Sequence, residues 1–316
     1  MLEKNKIIAL TKFITPQKTK VHYSIETNAT LLTNDVIEEL YKNHIGIGIS
    51  IDGDRKCHDL QRTFVSGKGS YDTVKKNLLQ AQRYYKNKIG TITTITKQTA
   101  VHIEKIIEHL VLDLHISNIK LNFVHASTYT HGQNQCLNTQ EIADTELRIL
   151  YKIIELQERG YDVMEHNIFI KLKNLLFREY ADICLSCGCC GGKKMIVFDM
   201  DGNIYPCELT DDASFVIGSI YKKESLIEQI KMTIDKDKAF FKMKKAVECE
   251  KCYWKFFCRG GCTVRALSEK RQMEVIDIDH IECAINQVLY PALMELVLRK
   301  PHIVNQMLGE DLLVDE

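Results

Sequence analysis

The sequence predicts an α/β fold with a parallel sheet, followed by a cysteine-rich region that binds metal. Strand and helix patterns alternate through the first 125 residues, which is typical of βαβ units. Ten of the twelve cysteines lie between positions 184 and 283. The 316 residues are 45% hydrophobic, which is enough for two packed domains. The formal net charge is zero, so the composition gives no reason to expect binding to nucleic acid or to an anionic membrane.

Four segments of the N-terminal part have the apolar, β-branched pattern of strands. Helical patterns at 1–20, 34–43, 71–86 and 99–113 alternate with them. Since parallel strands present their carboxyl ends at one edge, functional side chains are expected there. The predicted strands cover residues 21–27, 44–52, 90–96 and 118–124.

Two helices, at 139–159 and 165–180, are predicted to link this part to the cysteine-rich region. Beyond it, 224–246 is predicted to be largely helical, and 284–308 to be one amphipathic C-terminal helix. The predicted domain boundaries are 1–135 for the sheet part, 136–180 for the linking helices and 181–316 for the cysteine-rich domain.

The cysteine spacing points to a metal site. Four cysteines, Cys249, Cys252, Cys258 and Cys262, have the spacing C-x2-C-x5-C-x3-C. Disulfides need an oxidising compartment, and MLEKNKIIAL does not have the apolar run of a signal peptide. Zinc is the alternative metal, although zinc ribbons usually carry two C-x2-C pairs. The intervening aromatic and glycine residues favour an iron–sulfur cluster, whose sulfurs accept N–H bonds in apolar surroundings.

The C-terminal cysteines resemble the SPASM extension of radical SAM peptide- and protein-modifying enzymes. The resemblance is carried by Gly202, with four residues between it and Cys207, by the C-x2-C-x5-C-x3-C motif, and by a distant cysteine. It implies two auxiliary 4Fe-4S clusters. Cys262 lies in the same motif as three ligands of the second cluster but would bind the first cluster, and this links the two cluster sites. Cys187 and Cys189 are surplus, and either could replace Cys184 or Cys190. The implied ligands are Cys184, Cys190, Cys207 and Cys262 for the first cluster and Cys249, Cys252, Cys258 and Cys283 for the second.

Glu208, directly after Cys207, is the candidate catalytic residue. The resemblance places an Asp at this position in sulfatase-maturing enzymes, where it is proposed to take a proton from the substrate. A carboxylate beside a cluster and a closed pocket suits that task. The alternative is an exposed carboxylate that only follows a strand.

The N-terminal strands also resemble a radical SAM (β/α) barrel, with about four of its six strands present. YSIETNATLL and GISIDGDRKCHDLQR look like the third and fourth strands of that barrel. The resemblance implies that five residues at the strand ends face the pocket for S-adenosylmethionine (SAM): Glu26, Thr27, Asn28, Ser50 and Asp52. It places Arg62 to pair with a carboxylate, such as that of SAM, since guanidinium matches carboxylate geometry. Capping of turns is the structural alternative for these polar residues.

Two motifs of the family do not occur in these 316 residues. No three cysteines have the C-x3-C-x2-C spacing that holds the SAM-binding cluster, and no GGEP segment is present. We expect a truncated reading frame, with a split enzyme or a degenerate protein as alternatives. A barrel without two strands is expected to expose a sheet edge, which a separate polypeptide could cover.

The implied function is maturation of a ribosomal peptide, by a thioether or related modification. The alternatives are formylglycine formation in sulfatases and a non-catalytic two-cluster protein for electron transfer or peptide binding. The sequence leaves open whether this chain alone is an enzyme. A ferredoxin or flavodoxin reductant and a cytoplasmic location are expected with oxygen-labile clusters. The isolated Cys57, Cys136, His58, His125 and His131 are predicted to be structural.

Overall fold

A computed structural model of the chain describes most of its residues. The described ranges are 4–14, 21–86, 88–125, 135–177, 191–192, 194–210, 213–235, 247–269 and 278–309.

Five parallel strands form the main sheet, in the order in which they follow along the chain. Each of the first four strands was predicted from sequence. The fifth was not, because two residues give no periodic pattern. The strands are β1 (Tyr23–Thr27), β2 (Ile45–Ser50), β3 (Gly90–Ile95), β4 (Asn118–Phe123) and β5 (Met164–Glu165). Sequential parallel strands with helical crossovers are the arrangement of a (β/α) barrel, so the predicted partial barrel is confirmed.

Helices cover one face of this sheet. They include α1 (Lys4–Ile14), α2 (Asn34–Lys42), α3 (Arg55–Gln61), α4 (Tyr71–Tyr85), α5 (Lys97–Ala100) and α6 (Ile103–Glu108), with a π-helical turn at His109–Asp113. On this side every second side chain of β2, β3 and β4 is buried, beginning with Ile45 in β2 and ending with Phe123 in β4. The same alternation leaves the other face half-buried, as expected for strands with one face in the core.

The second face, here called the open face, is polar and rich in glycine. Register places Glu26, Gly48, Gly90 and Asn118 side by side across four strands. Among the described residues β1 pairs with β2 alone, so its other edge carries no sheet hydrogen bonds there. This row crosses the sheet at the amino ends of β3 and β4, and its two glycines allow a close approach to the backbone.

Four further helices, two before and two after the small sheet of the cysteine-rich region, pack against one another. They are α7 (Thr139–Glu158), α8 (His166–Phe177), α13 (His280–Arg299) and α14 (Pro301–Leu308). The predicted C-terminal helix is therefore two helices, because Pro301 starts a new helix at its N1 position, where a missing N–H is harmless. α13 is long and apolar enough to span a membrane by length and composition, but here it packs against α7, α8 and α14.

The cysteine-rich region contains a small antiparallel sheet and short helices. The strands are β6 (Val197–Phe198), β7 (Asn203–Tyr205) and β8 (Gly218–Ser219). The helices are α9 (Leu226–Asp235), α10 (Val247–Glu250), α11 (Lys255–Cys258) and α12 (Thr263–Glu269). The predicted helix at 224–246 is observed as α9, and the rest of that range lies outside the described residues.

Candidate metal centre and adjoining cavity

Four cysteine thiols line one small cavity, of about 150 Å³, in the C-terminal part of the chain. They are Cys249, Cys252, Cys258 and Cys283. None of these four forms a disulfide. The set matches the ligands that the sequence assigned to the second cluster, so the fold brings together side chains that are up to 34 positions apart.

Short turns and one helix N-terminus carry these cysteines to the cavity. The Cys252 N–H donates to the Cys249 carbonyl, which closes the first turn at 3.3 Å. Cys258 ends α11, where Gly260, at φ +93°, turns the chain back. Cys283 lies in the first turn of α13, with its N–H 2.9 Å from the Asp279 carbonyl.

The four thiols match the number of thiolates that hold a 4Fe-4S cluster, and the cluster itself stays a prediction. A tetrahedral zinc site needs four sulfurs within about 2.3 Å of one point. Within the described residues, no three His, Cys, Asp or Glu side chains converge on one ion. Thiolates of a cluster each bind a different iron and therefore stand further apart. The cavity between the four thiols leaves room for such a group.

The surroundings also suit cluster sulfurs, which need N–H donors and apolar cover. The Gln287 amide donates to Cys252 Sγ at 3.6 Å. Trp254 stacks on Tyr290 with 5.2 Å between ring centroids, and Phe257 lies 5.4 Å from the same ring. The predicted aromatic cover is thus only partial, because Tyr253 is 93% exposed.

The first set of predicted ligands is described only in part. Cys207 is buried directly after β7, and its sulfur accepts the Leu209 N–H at 3.4 Å. Cys262 follows the turn at Gly261. Cys184 and Cys190, with the surplus Cys187 and Cys189, lie outside the described residues. The first cluster stays a prediction.

A buried ionic network connects the two cysteine sets. Asp279 is fully buried and accepts the Cys262 N–H at 2.7 Å and the Arg265 guanidinium at 2.7 and 2.9 Å. It also caps α13 by accepting the Glu282 N–H at 3.1 Å. One carboxylate thus fixes the loop that carries Cys262 to the helix that carries Cys283.

The network continues through Glu282 into α8. The Glu282 carboxylate contacts Arg265 at 3.1 Å and Lys171 at 2.5 Å, and Lys171 also donates to Asn286 at 2.6 Å. Although burial opposes it, the charges of Lys171 and Arg265 lower the pKa of Glu282 to about 2. Each buried charge therefore has an opposite charge beside it, which is the condition for tolerating it. Sequence reasoning missed this network, because its members come together only in the folded chain.

The backbone at Gly261 lies close to the Asp279 carboxylate of this network. A Cβ at Gly261 would lie 2.7 Å from Asp279 Oδ2, and its φ is +72°. We expect Gly261→Ala to lower the free energy of unfolding by about 3 kcal/mol, from left-handed strain plus the clash. Chemical denaturation measures this. Gly260→Ala is the matched control, because Gly260 has φ +93° and nothing within 4 Å. Equal losses in the two variants would mean that contact with Asp279 does not constrain the loop.

A larger cavity, of about 340 Å³, adjoins the cysteines and the open face. Glu208 lies on it together with Cys258 and Cys262. The Glu208 side chain is exposed. The predicted catalytic carboxylate and thiols of both predicted clusters therefore share one cavity. Its remaining lining comes from β4, α7, α8, α12 and α13, and includes Lys120, Leu121, Phe123, His125, Glu146, Ile170, Lys171, Arg265, Glu282 and Ile285.

His125 and Glu146 line this cavity as well. His125 was predicted to be structural, and no sequence pattern marked Glu146 within the predicted helix at 139–159. His125 Nδ1 is buried without a hydrogen-bond partner in the described part of the chain. Burial, and then the charge of Arg265, lower the pKa of His125 to about 4, so the ring is neutral at neutral pH. His131 lies outside the described residues.

Among the predicted SAM contacts, Arg62 already has a carboxylate partner within the chain. Its guanidinium binds Asp52 at 2.6 and 3.3 Å, and Asp52 also accepts the Thr94 N–H at 2.9 Å. Asp52 thus joins the loop that follows β2 both to Arg62, at the end of α3, and to β3. A contact between Arg62 and SAM would share the guanidinium with Asp52 and stays a prediction.

Ser50 and Asn28 lie at the carboxyl ends of β2 and β1. Ser50 is half-buried in register with Ile92. The exposed Asn28 side chain accepts the Thr30 N–H at 3.2 Å and so stabilises its own turn. His58 is buried beside them, with Nε2 3.0 Å from the Ser70 hydroxyl and Nδ1 accepting the Asp52 N–H, as its predicted structural role requires.

No protein-family model matches the chain. Among curated proteins, the cysteine-type anaerobic sulfatase-maturating enzyme of Clostridium novyi is 26% identical over 245 residues, covering 77% of this chain and 64% of that enzyme. Native anSMEcpe with bound AdoMet and Kp18Cys peptide has the same fold, with a TM-score of 0.79, 20% identity, and coverage of 93% and 80% of the two chains.

The chain is similar in sequence to anaerobic sulfatase-maturating enzymes and shares the fold of anSMEcpe. A further SPASM-family neighbour is Streptococcus suis SuiB bound to precursor peptide SuiA, with a TM-score of 0.62, 17% identity, and coverage of 86% and 60% of the two chains. The chain spans a little under two thirds of the length of the Clostridium novyi relative. Structural neighbours in the family bind AdoMet and peptides.

Proposed function

We propose that the chain binds a cysteine-containing peptide in the 340 Å³ cavity and takes part in its maturation, by a thioether or related modification. The observation that carries this proposal is that Glu208 lines the cavity together with Cys258 and Cys262. A carboxylate next to the thiols can accept a proton from a residue held between them. Formylglycine formation is the second candidate, favoured by the cysteine-type sulfatase-maturating relative.

The cofactors in this proposal are SAM and two auxiliary 4Fe-4S clusters. Cys249, Cys252, Cys258 and Cys283 would hold one cluster, and Cys207 and Cys262 would hold the other with two cysteines from 184–190. When bound, these groups supply the radical chemistry and accept the electron that the substrate loses. Ser50, Asn28 and Arg62 are the proposed SAM contacts. The three predicted domains and a cytoplasmic location are part of the same proposal.

The residues of this chain would bind the substrate and move its proton. The apolar side chains of Leu121, Phe123 and Ile170 would exclude water from the peptide. The Glu208 carboxylate would take the proton that the target residue loses. A ferredoxin or flavodoxin would supply electrons, and a separate polypeptide covering the free edge of β1 is proposed as a partner.

Equilibrium binding tests whether the cavity selects a cysteine. Short fluorescein-labelled peptides, identical except for a central Cys, Ser or Ala, are titrated into the anaerobically reconstituted protein. We expect the Cys peptide to bind about tenfold more tightly than the Ala peptide, and Glu208→Gln to retain that preference, because Glu208 acts on the proton and not on the thiol. Equal affinities for the three peptides would contradict the proposal.

A further inference from the structure

Glu146 is a buried carboxyl group that the proposed chemistry does not use. It lies on α7, is 4% exposed, and lines the 340 Å³ cavity. It makes no hydrogen bond or ion pair with the residues that the structure describes. A buried polar group without a partner carries a large desolvation penalty. A ligand that enters the cavity would remove that penalty.

Three ionisable groups face Glu146 from the elements packed around it. They are Glu165 on β5, Lys171 on α8 and Glu282 on α13. Glu165 is already satisfied, because it accepts the Leu121 and Ile168 N–H groups at 3.0 and 2.9 Å. Lys171 is held by Glu282 and Asn286. The surrounding groups therefore leave Glu146 available to a ligand.

The environment keeps Glu146 in its neutral form. Burial, and then the charge of Glu165, raise the pKa of Glu146 to about 8, against the opposing charge of Lys171. Below that pH the group is a carboxylic acid, which donates one hydrogen bond. His125, also on the cavity, is neutral at the same pH.

An uncharged ligand fits this part of the cavity better than a cation. A cationic group would need an ionised carboxylate, and Lys120 on the same lining would repel it. The apolar neighbours Leu121 and Ile285 favour a peptide segment without charge. Every such segment presents backbone carbonyl groups, and these accept hydrogen bonds.

We propose that Glu146 donates a hydrogen bond to a backbone carbonyl of the bound peptide and so fixes the target residue beside Glu208. This inference rests on the proposed function, because it assumes that a peptide occupies the cavity. It assigns Glu146 a positioning role that does not depend on which side chain is modified.

The test uses the Cys and Ala peptides described above, with wild type, Glu146→Ala and Glu146→Gln. Gln keeps a donor and nearly the same volume, whereas Ala removes the donor. We expect Glu146→Ala to weaken both peptides about tenfold and Glu146→Gln to bind both within about twofold of wild type. Unchanged affinity in Glu146→Ala would overturn the inference. If the Ala peptide loses affinity but the Cys peptide is not preferred, only the proposed cysteine selection fails.

The pH dependence separates a direct hydrogen bond from a structural effect. Raising the pH from 7 to 9 ionises Glu146 and removes its donor, so wild type should lose affinity for the Ala peptide about tenfold. Glu146→Gln should show no such loss, which excludes titration of Glu165, Lys171, Glu282 or His125 as the cause. The same pH profile in both proteins would overturn the proposal.

Discussion

Replacing Cys252 and Cys283 together by Ala is expected to remove about half of the iron from the anaerobically reconstituted protein. Two 4Fe-4S clusters bind about eight iron atoms, and the double variant should retain about four. The double change is needed because three thiolates can still hold a cluster. Iron and labile-sulfide analysis, with the electron paramagnetic resonance signal of the reduced protein, measures the loss.

The matched control for this change is Cys136→Ala. Cys136 is a half-exposed thiol outside both cavities, so its removal should leave the iron content unchanged. Full iron content in the double variant would show that Cys252 and Cys283 are not cluster ligands, even though they line the same cavity.

Replacing Asp279 by Ala is expected to lower the free energy of unfolding by about 3 to 5 kcal/mol. Removing this carboxylate takes away one charged partner of the largely buried Arg265 guanidinium, deprives the Cys262 N–H of its acceptor, and removes the cap of α13. Urea denaturation of the cluster-free protein measures the loss. The experiment isolates the network from any effect of bound iron.

Glu158→Gln provides the comparison for Asp279→Ala. Glu158 pairs with Lys300 at 2.5 Å, and both side chains are more than 40% exposed. An exposed ion pair contributes about 1 kcal/mol or less, so this variant should be nearly as stable as wild type. A loss of stability in Asp279→Ala as small as that in Glu158→Gln would mean that the buried network does not hold the two cysteine segments together.

Patterns that are local in sequence predicted most of the fold. The first four strands have a period-2 or isoleucine-rich pattern, and the motif from Cys249 to Cys262 has a spacing that restricts the metal. Fold class and the grouping of four cysteines could therefore be predicted. β5 could not, because a strand of two residues is defined by its neighbour and not by its own sequence.

The polar interior of the site could not be predicted in the same way. Asp279, Arg265 and Glu146 look like ordinary charged residues of helical or loop segments. Their roles follow from burial and from partners that are distant in sequence, as with Lys171 and Glu282, which are 111 positions apart. Arg62 is a different case. Its carboxylate partner, Asp52, lies only ten positions away, but the sequence analysis assigned Arg62 to a carboxylate such as that of SAM.

The metal content of the anaerobically reconstituted chain tests the central claim most directly. Iron and acid-labile sulfide should be present in nearly equal amounts, at about eight of each per chain, with Mössbauer spectra typical of 4Fe-4S clusters. Stoichiometric zinc without labile sulfide would contradict the account, since the thiols around the 150 Å³ cavity would then bind a different metal.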